Sequence, residues 1–283
     1  MIRVLICGKG SYIGSAFIDK MSNIFEIDEL DLQNEEWERF DFSGYDALIH
    51  LAAIVHRPEE EDKELYFSVN RDLPFKVATR AISQGLKHFI FFSTMAVHGK
   101  GPSMTGNGRL SINSNYSPES LYGRSKLEAE MKLVDLHAKS NFILTIIRPP
   151  NVYGENCPGN YYRYMKLCAK YLLIFPLLRH NKFSMISISQ LCDVMGEAIE
   201  NQTSFLICPQ EDSDMSNASR IQKMAKHYGR FHYQSKLFGK LLMLLYKIYP
   251  FKQITNFFGD MYYDESLSNP IPIDRITYLD LEV

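Results

Sequence analysis

Short apolar runs separated by helical stretches are the feature that most restricts the fold of this chain. "IRVLIC" (2–7), "DALIHLA" (46–52), "HFIFFST" (88–94) and "FILTIIR" (142–148) are short and rich in β-branched and aromatic residues, as strands buried on both faces of a parallel sheet should be. Between them, Leu65, Val69, Leu73, Val77 and Ala81 fall four apart within 65–84. The stretch 119–139 carries Leu121, Leu127, Met131 and Val134 with charges elsewhere. Both patterns predict amphipathic helices. Regular β–α alternation predicts a Rossmann-type, doubly wound α/β sheet. After Arg148 the texture changes: "PPNVYGENCPGNYY" is a Pro/Gly/Asn loop that opens a more aromatic, less regular half. The expected organisation is one domain over 1–150 and a smaller lobe over 151–283. A segment near 182–209, with "SFLICP" at 204–209, is expected to return to the sheet.

Composition removes several function classes. The 283 residues carry a net charge of −2, which gives no broad electrostatic reason to bind nucleic acid. The five cysteines, Cys7, Cys157, Cys168, Cys192 and Cys208, are scattered without a CxxC pair, and the histidines lack ligand spacing. Neither a disulfide framework nor a metal site is expected. No apolar run approaches the roughly 18 residues that a spanning helix needs, and "VLIC" is cut off too early for a signal peptide. A cytoplasmic protein with reduced thiols is expected.

Three motifs carry chemistry. In "VLICGKGSYIGSAF" a strand runs into Gly8, and a helix begins at Ser15–Phe17. That geometry offers backbone N–H groups and a positive dipole end to a pyrophosphate. In "SLYGRSKLEAE", Tyr122 and Lys126 stand at i and i+4, on one helix face, where an ammonium lowers the pKa of a phenol. "FIFFSTMAVHG" ends a strand with Ser93 and Thr94, at the carboxyl edge where α/β sheets place their ligands.

In this order the motifs resemble the extended epimerase/dehydratase branch of the short-chain dehydrogenase/reductase superfamily. "CGKGSYIG" is similar to its TGxxGxxG loop, with Cys7 for the threonine and Ser11 for the middle glycine. "DALIHLAA", "VN" at 69–70, "STMAVHG" (with His98 for a tyrosine), "YGRSK" and "RPPNVYG" resemble its later motifs, over roughly residues 1–155. The resemblance implies a dinucleotide-binding domain followed by a substrate-binding lobe. It assigns Thr94, Tyr122 and Lys126 to catalysis. It assigns Gly8, Gly10, Ser11, Tyr12, Ile13, Gly14, Asp31, Leu51, Ala52, Ala53, Asn70, Ser93 and Pro149, with Tyr122 and Lys126 again, to the cofactor. Thr94, Asn151, Asn160 and Arg163 are assigned to the substrate, a nucleotide-sugar. The implied chemistry is hydride transfer at a sugar carbinol, with Tyr122 moving the hydroxyl proton.

Family dehydratases carry Asp-Glu after the strand-end threonine, whereas this chain has Met95-Ala96. That disfavours dehydration and leaves 4-epimerisation, with 4-keto-sugar reduction as the alternative and a non-catalytic dinucleotide sensor as a third reading. Asp31, where an acid would grip the adenosine ribose and repel a 2′-phosphate, favours NAD. Asp28 and Glu29 are equally readable as solvated residues, and Arg3 and Lys9 leave NADP open. In the second lobe, "KFSMISISQL" (182–191) puts Phe183, Ser187 and Ser189 at places the family usually fills with charged or aromatic residues, so Arg163 and Arg179 are candidate replacements. His56, after "HLAAIV", is placed near the nicotinamide by the resemblance. "FGDMYYDESLS" (258–268) resembles a closing segment of surface-polysaccharide enzymes, and a homodimer is usual in the family. Finally, "SKLFGKLLMLLYKIYPF" (235–251) has lysines near one helix side and Leu and Phe opposite. A helix packed on the lobe or at a dimer contact is the simpler reading, and peripheral membrane contact is the other.

Overall fold

The computed structural model describes the chain except residues 56–61, 100, 159, 173, 179–180, 202, 212–215, 277 and 279–283. Its centre is a seven-stranded sheet. In chain order the strands are β1 (Arg3–Cys7), β2 (Glu26–Leu30), β3 (Ala47–His50), β4 (His88–Phe92), β6 (Ile143–Ile147), β10 (Phe205–Ile207) and β13 (Ile271–Pro272), arranged in space as β13-β10-β6-β4-β3-β1-β2. All neighbours are parallel except β10 and β13. The predicted strands at 2–7, 46–52, 88–94 and 142–148 thus form the sheet centre. "SFLICP" joins it as β10, beside β6.

Helices cover both faces, as continuous apolar strands require. On one side lie α1 (Tyr12–Met21) and α6 (Ile188–Glu200), over a core that includes Ile6, Phe17, Ile49, Ile90 and Leu191. On the other lie α3 (Leu73–Ser83) and α4 (Leu121–Lys139), over Leu5, Leu48, Val77, Phe89 and Leu133. The helix read as continuous over 65–84 is in fact α2 (Lys63–Phe67), one turn of π-helix at Ser68–Asp72, then α3. The four-apart face holds at Val77 and Ala81, while the buried residues are Tyr66 and Phe67 upstream of the π turn and Asn70 within it.

The chain enters at β1, moves to β2 on one side and then to β3 on the other. Where that order reverses, the carboxyl ends of β1 and β3 leave a crevice. Chain separation here is small. A Cβ on Gly8 would stand 2.8 Å from the Ala52 amide nitrogen, and Gly8 has φ +126°, so only glycine suits the position.

Outside the central sheet, three parallel two-stranded ribbons among the described residues build the smaller part: β5 (Arg109–Leu110) with β12 (Tyr262–Tyr263), β7 (Asn151–Tyr153) with β9 (Met185–Ser187), and β8 (Ile174–Pro176) with β11 (Tyr233–Ser235). With α5 (Asn160–Tyr171) and α7 (Asn217–His227) they enclose a separate core of Met165, Phe175, Met185 and Ile221. The last helices are α8 (Lys236–Ile248) and α9 (Lys252–Phe258). Helix α8 rests on the lobe by its Gly239 side and leaves its leucine face uncovered among the described residues. Gly239 is its one buried residue, and Leu237, Leu241, Leu244, Leu245 and Ile248 are exposed.

Candidate active site

The glycine loop is shaped by the helix that follows it. Ser11 is the N-cap of α1, and its Oγ accepts from the Gly14 amide at 3.2 Å. This satisfies one of the first-turn donors and leaves the amides of Tyr12 and Ile13 facing the crevice without helical carbonyls to bind. Gly14 is required by the cap, because a Cβ there would lie 2.7 Å from Ser11 Oγ. Leu51 and Ala52, from the segment after β3, donate to the Cys7 carbonyl at 2.8 and 3.0 Å. Ala53 follows them, half-buried.

At the end of β2, Asp31 accepts from the Gln33 amide at 2.9 Å, closing its own turn. Glu29 accepts from the Gly10 amide at 3.0 Å and is the acid that touches the loop. Its signal is the period of a strand, since Glu29 and Asp31 share a face and Asp28 does not. Asp28 bonds Tyr45 and Arg3 instead. Arg3 is also paired with Glu26 at the far end of β1. At ~3.3 Å per residue it stands roughly 17 Å from Gly8. It cannot serve a 2′-phosphate at the crevice, contrary to the sequence expectation.

Asn70 sits in the π turn, fully buried. Its Oδ1 accepts from the Ile54 amide at 2.8 Å, and its Nδ2 donates to the Ile54 carbonyl at 2.9 Å and to Ser125 Oγ at 3.1 Å. Ser125 Oγ donates in turn to the Tyr122 carbonyl at 3.0 Å. One side chain therefore fixes the segment after β3 to the turn of α4 between Tyr122 and Lys126. Ser125 was not among the sequence candidates, although its place just before the lysine puts it on the buried face.

Helix α4 starts with Ser120 as N-cap, bonded to the Gly123 amide at 3.0 Å. A Cβ on Gly123 would meet the Ala96 carbonyl at 2.7 Å. That close approach lays Tyr122 against the end of β4, with its phenol near the Thr94 side chain. Thr94 Oγ1 accepts from the Ala96 amide at 3.2 Å. Burial pushes the Tyr122 phenol up to about 12, with the Thr94 side chain acting in the opposite direction. Lys126 lies below, buried, with Nζ donating to the Phe92 carbonyl at 2.6 Å and standing 4.6 Å from the Phe91 ring centroid. Burial lowers its pKa to about 7, against a smaller opposing effect of Glu130. The expectation that Lys126 lowers the phenol pKa is not met here: desolvation governs both groups, and the ammonium is turned to a carbonyl.

Ser93 is buried at the same strand end, and its Oγ has no hydrogen-bond partner. Pro149, half-buried, accepts from the Met95 amide at 3.2 Å. Met95 and His98 are buried, with His98 5.2 Å from the Tyr116 ring. Asn151 and Arg163 are exposed, on β7 and α5. Asn160 begins α5, but its side chain lies outside the described residues, as do Arg179 and His56 altogether. Phe183 is buried, Ser187 caps α6, and Ser189 accepts from Lys20 Nζ at 2.8 Å. Among the described residues no cluster of His, Cys, Asp and Glu could hold a metal ion.

A glycine cradle closed by its neighbours and free amides at a helix start stand at the carboxyl end of β1, and a half-buried tyrosine with a buried lysine one helical turn on stands at that of β4. The family model for the NAD dependent epimerase/dehydratase family matches residues 4–172. The chain belongs to the NAD dependent epimerase/dehydratase family. Within and around that family, it is 33% identical over 210 residues to the UDP-glucose 4-epimerase of Vibrio cholerae, covering 69% of this chain and 63% of that protein. It is 28% identical over 191 residues to the N-acetyl-alpha-D-glucosaminyl-diphospho-ditrans,octacis-undecaprenol 4-epimerase of Escherichia coli O157:H7, covering 61% and 56%. The matched region spans less than two thirds of the length of either curated relative. Among solved structures, the UDP-glucuronic acid 4-epimerase of Bacillus cereus in complex with NAD superposes with a TM-score of 0.64 at 17% identity, over 83% of this chain and 87% of that one. At that identity the likeness shows the fold, which for this epimerase/dehydratase family member is the mostly parallel sheet described above.

Proposed function

We propose that this chain is an NAD-dependent 4-epimerase of nucleotide-sugars, of the UDP-hexose or UDP-N-acetylhexosamine class, acting in surface-polysaccharide synthesis. The observation that carries the reading is the close approach of α4 to the carboxyl end of β4, which sets Tyr122 beside Thr94 with Lys126 one turn on and the glycine loop at the neighbouring strand ends. The residues present fit a dinucleotide. Tyr12 and Ile13 offer amides to a pyrophosphate, a Cβ on Gly10 would meet nothing within 4 Å so the loop is open there, Glu29 and Asp31 suit ribose hydroxyls, and Ser93 Oγ is a buried donor without a partner among the described residues. When bound, the dinucleotide supplies the hydride acceptor and donor.

The chain's own groups handle the proton and the orientation. Tyr122 Oη takes the proton of the sugar C4 hydroxyl when C4 is oxidised and returns it when C4 is reduced from the other face. Thr94 Oγ1 holds the same oxygen, and Lys126 would meet the nicotinamide ribose of the bound dinucleotide. Asn70 keeps α4 and the segment after β3 in fixed register, so that these distances persist. Met95 and Ala96 put no acid or base beside Thr94, which argues against water elimination. On this reading residues 1–150 hold the dinucleotide and 151–283 mainly the sugar, with Asn151, Asn160 and Arg163 toward the carrier. A cytoplasmic homodimer belongs to the same reading through the family resemblance.

Mass spectrometry of the small molecule released from purified protein is expected to find NAD. Incubation with a panel of UDP-hexoses should then interconvert a C4 pair without added cofactor, and Tyr122→Phe should abolish it. Stoichiometric oxidation of added NADH or NADPH would assign the keto-sugar reductase reaction instead.

A further inference from the structure

Among the described residues nothing covers the apolar side of α8. Leu237, Phe238, Leu241, Leu244, Leu245 and Ile248 are 40–78% exposed, and their spacing is that of one continuous helical face. The cause lies on the opposite side. A Cβ on Gly239 would stand 2.2 Å from the Leu177 carbonyl, so the backbone of α8 lies directly against the segment after β8 and turns its large side chains outward. Exposed aromatic residues stand around the helix in sequence: Phe231 and Tyr233 before it, Tyr249 and Phe251 after it.

The charge of this region is equally one-sided. Residues 215–259 contain eight lysines and arginines and no aspartate or glutamate. With 31 basic and 33 acidic residues in the whole chain, the remainder carries −10. Lys236, Lys240 and Lys247 are exposed, without an ion-pair partner among the described residues. They line a groove of about 650 Å³ against Leu177 and Leu178.

We propose that α8 docks this protein on the surface of an anionic lipid bilayer. The leucine face enters the boundary between headgroups and acyl chains, and Lys236, Lys240 and Lys247 meet lipid phosphates. The helix lies in the plane of the surface, because 13 residues span only about 20 Å against a hydrocarbon core of roughly 30 Å. A second copy of the chain is the poorer occupant. In a two-fold dimer the same patch faces itself, which would set the lysines of one α8 against those of the other. Anionic headgroups complement the apolar face and the lysines together.

Flotation of the full-length protein with vesicles tests this. Binding is expected with mixed phosphatidylcholine–phosphatidylglycerol vesicles, with a marked loss in pure phosphatidylcholine and at high salt. Leu241→Glu with Leu245→Glu, and separately Lys240→Glu with Lys247→Glu, should each lower the bound fraction at least ~tenfold. All four residues are exposed, so the thermal midpoint should stay put and show that the variants are folded. Absence of wild-type flotation, or flotation unchanged in both variants, would overturn the proposal. So would a dimer on gel filtration that the leucine variant dissociates while the wild type ignores vesicles. None of these readouts involves turnover, so they stand apart from a failure of the epimerase reading.

Discussion

Lys126 is held where an ammonium is costly, and replacing it should stabilise the protein that carries no dinucleotide. Its pKa is lowered from 10.5 to about 7 by burial. A lysine whose folded-state pKa is depressed lowers stability wherever the unfolded chain binds the proton more strongly, that is, below pH 10.5. Each tenfold loss of proton affinity on folding corresponds to about 1.4 kcal/mol. From the two pKa values, the penalty is about 4 kcal/mol at pH 7, about 2 kcal/mol at pH 9 and below ~1 kcal/mol near pH 10.5. Methionine has a similar length and no charge, so Lys126→Met should add stability in that proportion while removing activity. The assay is urea unfolding of wild type and variant, stripped of dinucleotide, at a series of pH values. Differences between the two cancel the titration of every other group. A gain that does not shrink as pH rises, or a variant less stable at pH 7, would refute the reasoning.

Other perturbations test the scaffold around the site. Gly8→Ala must fit a Cβ 2.8 Å from a backbone nitrogen at φ +126°; it should cost on the order of 2–4 kcal/mol in urea unfolding and weaken dinucleotide binding. Glu130→Ala strips the partner from Arg148, both members being fully buried. A loss of about 3–5 kcal/mol is expected, and Glu130→Gln should recover only part of it.

The sheet was legible because strands buried on both faces must be mostly apolar, and β1, β3, β4 and β6 are, with Arg3, His50, His88 and Thr145 as the one polar residue of each. Helix α4 was legible as a helix but not as to its face. Of its expected apolar residues Leu127 is buried, but Leu121, Met131 and Val134 are only half-buried, whereas Ser125, Lys126 and Glu130 are buried. A helix that brings polar groups to a reaction centre inverts the hydropathy pattern over those turns, so periodicity misjudges it where function resides. Tyr122, Lys126, Thr94 and Asn70 were found by their motifs instead. Glu29 was missed because a carboxylate bound to a loop amide looks, in sequence, like any solvated acid. The fate of 235–251 was hidden for another reason: an amphipathic pattern shows that a helix has an apolar side, not which way the body of the protein lets it point.

The π turn at Ser68–Asp72 has a consequence for how this region can change. A single residue more or less in a helix rotates everything beyond it by about 100°. Asn70 must reach Ile54 and Ser125 while Val77 and Ala81 face the sheet, and the extra residue in the turn reconciles these two phases. Deleting one residue here would leave the chain a choice between a seated Asn70 and a seated α3. The segment therefore tolerates substitution far better than it tolerates a change of length.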